Sequence, residues 1–318
     1  MDNAPQPLLG IGACLQGQPV RYNRDTKRAN DSVRRLGDHF ELRSFCPEVA
    51  IGLGVPREPI RLVGDETSVR AMDSATQEID HTVALTDYAR TVLELAPEMC
   101  GYILVKGSPS CGWERVKRYD ENGNAVARDA RGVFAAALNE ADPLMPLEDD
   151  GRLNDAPLRD SFVSRAMAYH AWKAMRQAGL SARSLTEFHA RHKYLIMAHD
   201  YNGYRELGRL AATAGVRPID EVADEYISGL MAALSRPASR RSHANALMHV
   251  MGYLKRSLSS RERQQLRDNI EQYREGTIPL IVPITLLRHH FSNHPDPYID
   301  SQVFLSPYPD TLRLRNQL

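Results

Sequence analysis

"GYILVKGSPSCG", Gly101 to Gly112, is the stretch on which the fold of the first half turns. An apolar run from Tyr102 to Val105 leads into a turn made of two serines, a proline, a cysteine and a glycine. A short apolar run bounded by turn residues reads as a strand buried on both faces, the type found in parallel sheets. The same pattern precedes it. "PLLGIGACL" runs apolar up to Cys14, "FELRSFCPEV" alternates up to Cys46, and "IRLVG" is a further short strand. Between the strands lie helical segments. The second half of "RYNRDTKRANDSVRRLGDHF" is one. The other is the long "ETSVRAMDSATQEIDHTVALTDYARTVLELAPEMC", in which Ile79, Val83, Leu85, Tyr88, Val92 and Leu95 recur at roughly 3.6-residue spacing, with Pro97 in the last turns. Alternating strands and helices predict an α/β fold with an N-terminal three-layer, mostly parallel, Rossmann-like sheet.

The texture changes after the Asp-, Pro- and Leu-rich segment "EADPLMPLEDDGRLNDAPLRD". From Ser161 onward the chain reads as an all-α domain, so the expected division is residues 1–160 and 161–318. "SFVSRAMAYHAWKAMRQAG" is a helix stopped by Gly179, and "SLTEFHARHKYLIMAHD" is a second, with Ser184 and Glu187 as an expected capping box. Helices follow in "GYRELGRLAATAG", "IDEVADEYISGLMAALS", "RRSHANALMHVMGYLKRSL", "SSRERQQLRDNIEQYREG" and, after Pro283, "IPLIVPITLLRHHFS".

Composition narrows the function. The chain has 318 residues, 42% hydrophobic and 25% charged, with 40 Lys+Arg against 40 Asp+Glu. A balanced charge gives no global pull toward nucleic acid or anionic membrane, although it permits a local basic site. No apolar run approaches the ~20 residues of a membrane span. The N-terminus lacks a basic region before its short apolar stretch, so no secretory signal is read and a cytoplasmic location is expected. Four cysteines in a chain of this length do not make a disulfide scaffold; metal-binding, catalytic or buried roles are the expectation.

Three of the four, Cys14, Cys46 and Cys111, stand just past the carboxyl end of a predicted strand, 32 and 65 residues apart. In an open parallel sheet those ends converge on one crevice. Pro47, Pro109 and Gly112 fix or free the backbone beside them. Cys100 has no such context and reads as structural. The plainer reading is that the cysteines fill space, as buried free cysteines often do. Three together at strand ends suit either an iron–sulfur cluster or a zinc ion with an open position. The absence of paired CxxC spacing disfavours a finger-type zinc site.

"GACLQGQPVRYN", "CPEVAIGLGVPREPIRLV" and "LVKGSPSCG" together resemble the signatures of the thiouracil desulfidase family, over about residues 8–160. "FHARHKYLIMAHDYNGYRELGRL" and "YPDTLRLRN" are similar to the YbgA-like domain family. The first resemblance implies a [4Fe–4S] cluster held by Cys14, Cys46 and Cys111, with one open iron. It also implies replacement of a pyrimidine's sulfur by oxygen, with release of hydrogen sulfide and no net redox change. Thiouracil and 4-thiouridine monophosphate are the implied substrates. Glu48 and a serine of the third motif, Ser108 or else Ser110, are the implied catalytic residues. On this reading the open iron polarises the thione, Glu48 is the general base, and Ser108 hydrogen-bonds at the reacting carbon. A nucleotide needs a phosphate partner, for which Arg21, Arg57 and Lys106 are the candidates, and Tyr22 could stack on the base. In the helical half, Arg191, Lys193, Tyr201, Tyr204, Arg205 and Arg209 suit nucleotide or RNA contact or an ordinary domain interface. His189, His192 and His199 are a weak candidate metal set there. The competing functions are a zinc-dependent hydrolase with a three-cysteine site and a non-enzymatic RNA-binding or redox-sensing cluster protein. Oligomeric state is left open by the sequence.

Overall fold

The computed structural model describes residues 6–318 and divides the chain into two compact units, Met1–Asn154 and Asp155–Leu318. The border falls six residues before the expected 160/161. The first long helix of the second unit starts early, with Asp155 accepting the Leu158 amide as N-cap and Pro157 in its first turn.

The first unit is α/β. Its elements in order are β1 (Leu8–Gly12), α1 (Asp31–Arg34), β2 (Glu41–Phe45), α2 (Pro47–Ala50), β3 (Ile60–Gly64), β4 (Val69–Asp73), α3 (Thr82–Leu95), β5 (Tyr102–Leu104), β6 (Val116–Tyr119), β7 (Ala125–Ala130), α4 (Val133–Ala141) and β8 (Leu147–Asp149). A parallel sheet runs in the order β2-β1-β5-β8. Every residue of β1, β5 and β8 is buried; β1 and β5 are the continuous apolar runs, whereas the acids of β8 are buried with partners, Asp149 accepting the Trp113 amide and Glu148 the Arg152 guanidinium. β1 is internal, with β2 on one side and β5 on the other, so the strand order reverses beside it. That reversal opens a crevice at the carboxyl ends of the strands.

A second, mixed sheet in the order β4-β3-β6-β7 departs from the sequence reading. "SVRAMD" does not open a long helix. Val69–Asp73 pairs antiparallel with β3, burying Ala71 and Met72. The carboxylate of Asp73 then accepts the amides of Thr76, Gln77 and Ile79 at 2.7, 3.1 and 2.9 Å. This closes the next residues into a loop and delays the helix to Thr82. In consequence Ile79, Val83 and Leu95 are 58%, 72% and 62% exposed, and only Leu85, Ala89 and Val92 form the buried stripe of α3. The hairpin β6–β7 is a second departure from the expected alternation of strands and helices. Its turn contains Asn122-Gly123, with Gly123 at φ +83°, the conformation a tight hairpin turn favours.

The second unit is all-helical: α5 (Ala156–Gly179), α6 (Ala182–His199), α7 (Tyr201–Ala211), α8 (Ile219–Leu234), α9 (Arg240–Met251), α10 (Ser260–Glu275), α11 (Ile281–Asn293) and α12 (Pro297–Asp300). Trp172 of α5 packs edge-on against Phe188 of α6 and stacks with Tyr226 of α8, at 5.3 and 5.8 Å between ring centroids. The capping box of α6 uses Ser181 and Ser184, one turn before the expected pair. Glu187 instead pairs with Arg183 at 2.7 Å. No helix among the described residues is long and apolar enough to cross a membrane.

Candidate active site at the strand ends

The crevice carries all three predicted cysteines. Cys14 lies in the 3₁₀ turn Ala13–Gln16 after β1. Cys46 follows β2 as the N-cap residue of α2, ahead of Pro47. Cys111 closes the turn after β5, where the Gly112 amide donates to the Ser108 carbonyl at 2.8 Å. Because β2, β1 and β5 are neighbours, the three thiols meet around a cavity of about 290 Å³. Burial pushes all three thiols above the ordinary thiol range, Cys111 furthest. The nearness of Cys46 raises Cys14 further, and Glu48, Cys46 and Cys14 add to the rise at Cys111. These mutual effects mark one shared neighbourhood. Among the described residues no three His, Cys, Asp or Glu side chains form a set that could hold a single metal ion. The donor set is soft and surrounds a space, which fits a sulfur-rich cluster better than a lone cation.

Beside the thiols runs a hydrogen-bonded chain. Arg57 donates from Nε and Nη2 to Glu48 Oε2 at 2.9 and 2.6 Å. The other oxygen, Oε1, accepts from the Ser110 hydroxyl at 2.6 Å. Ser110 Oγ is 3.0 Å from Ser108 Oγ and 3.5 Å from Cys111 Sγ. Ser108 Oγ accepts the Cys111 amide at 3.1 Å. Ser110 is fully buried, whereas Ser108 is half-buried at the cavity wall.

The expected substrate-binding residues divide. Arg21 and Lys106 line the cavity, with Tyr22 beside them 42% exposed. Arg21 is paired only loosely, 3.7 Å from Asp25. Arg57 is corrected: its side chain is 5% exposed and already committed to Glu48. Its Nη1 also donates to the carbonyls of Val20 and Gly54, both at 2.9 Å. Arg57 also lines the cavity, but these bonds make it a buried strut under Glu48. Removing one partner of a buried pair strands the other's charge, at about 3–5 kcal/mol. Arg57→Met is therefore expected to lower unfolding stability by that order, read by denaturant titration, with Arg57→Lys recovering part of it.

Two residues of the rim escaped the sequence reading. Asp150, just after β8, accepts the Lys106 amide at 2.8 Å and the Lys27 ammonium at 2.9 Å through the same oxygen, Oδ1. It thereby ties the loop after Cys14 to the loop before Cys111. Neither residue sits in a motif. The only sequence signal was the run of acids Glu148, Asp149 and Asp150 ending a strand. Gly132 is also structural to the site. A Cβ there would stand 2.4 Å from the Ser110 carbonyl oxygen and 2.8 Å from the Gly112 nitrogen. Both obstacles are backbone, so Gly132→Ala is expected to displace the serine–cysteine turn. Overpacking of this kind costs about 1–3 kcal/mol, and thermal melting of the variant checks it.

In the helical unit the histidines are engaged singly. His189 Nδ1 bonds the Tyr226 hydroxyl at 3.1 Å, His192 Nδ1 the Phe188 carbonyl at 2.8 Å, and His199 Nδ1 the Arg236 carbonyl at 2.7 Å. They do not converge as a metal set. The basic and aromatic residues fare differently. His189, Lys193, Tyr204, Arg205, Arg209 and Tyr298 line an open groove of about 590 Å³. The Lys193 ammonium sits 4.8 and 4.7 Å from the ring centroids of Tyr194 and Tyr298.

Comparison with known proteins follows the same division. Residues 9–150 match the family described as 2-thiouracil desulfurase, and residues 193–309 match a family of unknown function, DUF1722. The uncharacterized protein YbgA of Escherichia coli (strain K12) is 34% identical over 158 residues, which is 49% of this chain and 94% of that protein. The uncharacterized protein YbbK of Bacillus subtilis (strain 168) is 30% identical over 140 residues, 42% of this chain and 91% of that protein. A solved structure titled [4Fe-4S]-dependent thiouracil desulfidase TudS is 28% identical, covering 47% of this chain and 94% of that one, with a TM-score of 0.38. The chain thus belongs to the 2-thiouracil desulfurase family through its α/β unit and to the DUF1722 family through its helical unit.

Proposed function

We propose that the α/β unit is a non-redox desulfidase that converts a thiolated pyrimidine, thiouracil or 4-thiouridine monophosphate, and water into the oxygenated pyrimidine and hydrogen sulfide. The observation that carries this reading is the meeting of Cys14, Cys46 and Cys111 beside the Glu48–Ser110–Ser108 chain. A [4Fe–4S] cluster on the three cysteines would supply an open iron as Lewis acid for the thione sulfur. The chain's own residues supply the rest. Ser108 faces the cavity and orients the attacking water. Its proton passes through Ser110 to Glu48, whose second oxygen Arg57 holds still. Arg21 and Lys106 at the rim favour an anionic, phosphorylated substrate.

The zinc hydrolase alternative has less support, because no three described donors form a set for one ion. A purely sensing role leaves the serine–glutamate chain without a task. The basic-aromatic groove of the helical unit supports RNA as a second partner, since stacking faces beside cations bind single strands with little sequence preference. Arg205→Ala with Arg209→Ala is expected to weaken RNA binding about tenfold or more in fluorescence anisotropy, each lost phosphate contact steepening the loss as salt rises.

The deciding experiment is anaerobic reconstitution of the full chain, followed by sulfide release from 2-thiouracil and 4-thiouridine monophosphate. Release from either supports the function. A chain loaded with iron and sulfide that releases none from both sinks it.

A further inference from the structure

Loading the three-cysteine cavity is a problem of charge. Cysteines ligate metals as thiolates, so the loaded cavity holds buried negative charge, which is costly unless an opposite charge stands by. The charged residues lining the cavity are Arg21, Lys27, Glu48, Arg57 and Lys106. Glu48 and Arg57 cancel each other at 2.6 Å. The cations that remain, Arg21, Lys27 and Lys106, are held differently. Arg21 is paired loosely, 3.7 Å from Asp25. Lys106 is exposed, its stem passing over Gly151, where a Cβ would stand 2.6 Å from Cδ. Lys27 is tied at both ends. Its amide donates to the Cys14 carbonyl at 3.1 Å and the Ala29 amide to that of Leu15 at 2.9 Å, so this segment lies along the Cys14 turn. The Lys27 ammonium donates to Asp150 Oδ1 at 2.9 Å and reaches the Lys106 carbonyl at 3.5 Å. Asp150 is itself fixed, its Oδ1 accepting the Lys106 amide at 2.8 Å and its carbonyl the Asn30 side-chain amide at 3.1 Å. The ammonium therefore reaches from the Cys14 loop to the loop before Cys111 on the cavity wall, and Asp150 is not part of that wall.

We infer that Lys27 is the fixed counter-charge of the cluster unit on Cys14, Cys46 and Cys111, with Asp150 as the residue that positions it. This rests on the function proposed above and leaves Arg21 and Lys106 as the cations free to meet an anionic substrate. The opposing carboxylate does not cancel the ammonium at the cysteines. Burial and then Cys46 raise the Cys14 thiol, and against them Lys27 lowers it more than Asp150 raises it. A cluster's reduction potential follows the charge around it: a nearby cation favours the reduced form and a nearby anion disfavours it. Removing the cation and removing the anion therefore act with opposite signs, which a mere loss of packing does not produce.

The test uses the full chain, reconstituted anaerobically, as wild type, Lys27→Met, Lys27→Arg and Asp150→Asn. Each is assayed for iron and sulfide content, for midpoint potential by spectroscopic titration, and for KM with 2-thiouracil and 4-thiouridine monophosphate. Asparagine keeps an acceptor for the Lys106 amide and the Lys27 ammonium and deletes only the charge. The expected result is a potential moved negative in Lys27→Met, moved positive in Asp150→Asn and held near wild type in Lys27→Arg, with the ratio of the two KM values unchanged in Lys27→Met. Unchanged potentials in loaded Lys27→Met and Asp150→Asn overturn the inference. So does a several-fold rise in KM confined to the monophosphate in Lys27→Met, which makes the lysine a phosphate ligand. Should Lys27→Met fail to load, loading of Lys27→Arg with a positive shift in Asp150→Asn supports the inference. Failure of both lysine variants to load, or no shift in Asp150→Asn, overturns it. All these outcomes leave the proposed function intact. A wild-type chain that loads yet releases no sulfide overturns the function while the potentials still decide the inference, and one that takes up no iron or sulfide overturns both together.

Discussion

Serine in place of Cys14, Cys46 or Cys111, one at a time, is expected to abolish iron–sulfur loading and with it sulfide release. Cys100→Ala is expected to leave both in place. The contrast is geometric. Each of the first three terminates or closely follows one of three adjacent parallel strands, and no fourth cysteine in the chain stands near enough to substitute. Cys100 is at the opposite end of the sheet. Its thiol donates to the carbonyl of Leu8, the first residue of β1, at 3.2 Å. Five residues of strand separate that end from Cys14's turn, roughly 13 Å at the rise of an extended chain. Visible absorption of the reconstituted proteins, with iron and sulfide analysis, reads the result. Full loading in any of the three serine variants would remove that residue from the ligand set.

The second large effect is expected at Glu48. A glutamine there keeps the shape but removes the charge that faces buried Arg57, so a lower melting temperature is expected, while cluster loading stays close to wild type and turnover per loaded chain falls about 10²–10⁴-fold, the usual worth of a positioned general base. A carboxylate accepts at both oxygens, whereas an amide has one acceptor and one donor. Glutamine can therefore accept from Arg57 but must donate to Ser110, which reverses that link and leaves no group to take the proton. Ser110→Ala breaks the same chain one link nearer the substrate and is expected to lower turnover with the cluster spectrum unchanged. Single-turnover sulfide release on loaded protein separates these losses from poor loading. A Glu48→Gln enzyme with wild-type turnover would remove the base from the mechanism.

Most of what matters at this site was local enough to read. A buried strand announces itself by an unbroken apolar run, and a cysteine followed by proline or set among serines and glycine marks where the strand stops. Three such endings on a parallel sheet place the thiols together without knowledge of any contact. Partnership across the chain was not legible. Arg57 looks like any surface arginine until Glu48, nine residues away, is seen to face it. Lys27 and Asp150 are 123 residues apart and carry no motif. The second sheet was missed for a different reason. "SVRAMD" is short, half polar, and joined to a genuine helix, so helical periodicity over the longer window outweighed it. Asn122-Gly123 is the one local hairpin signal that the second sheet carries.

The strand order β2-β1-β5 also sets a timetable for biogenesis. Parallel neighbours cannot be joined by a tight turn, so each cysteine reaches the others only after an intervening crossover has been laid down. The ligands lie 32 and 65 residues apart, and closing segments of that length is slow compared with forming a hairpin or helix. On the ribosome the third ligand emerges only after more than a hundred residues have been made. On the function proposed above, a cluster would therefore be delivered to an already folded chain. On that reading one wall of the crevice stays open until loading, and the interval between folding and loading is the stage at which oxygen and stray metals would have their chance.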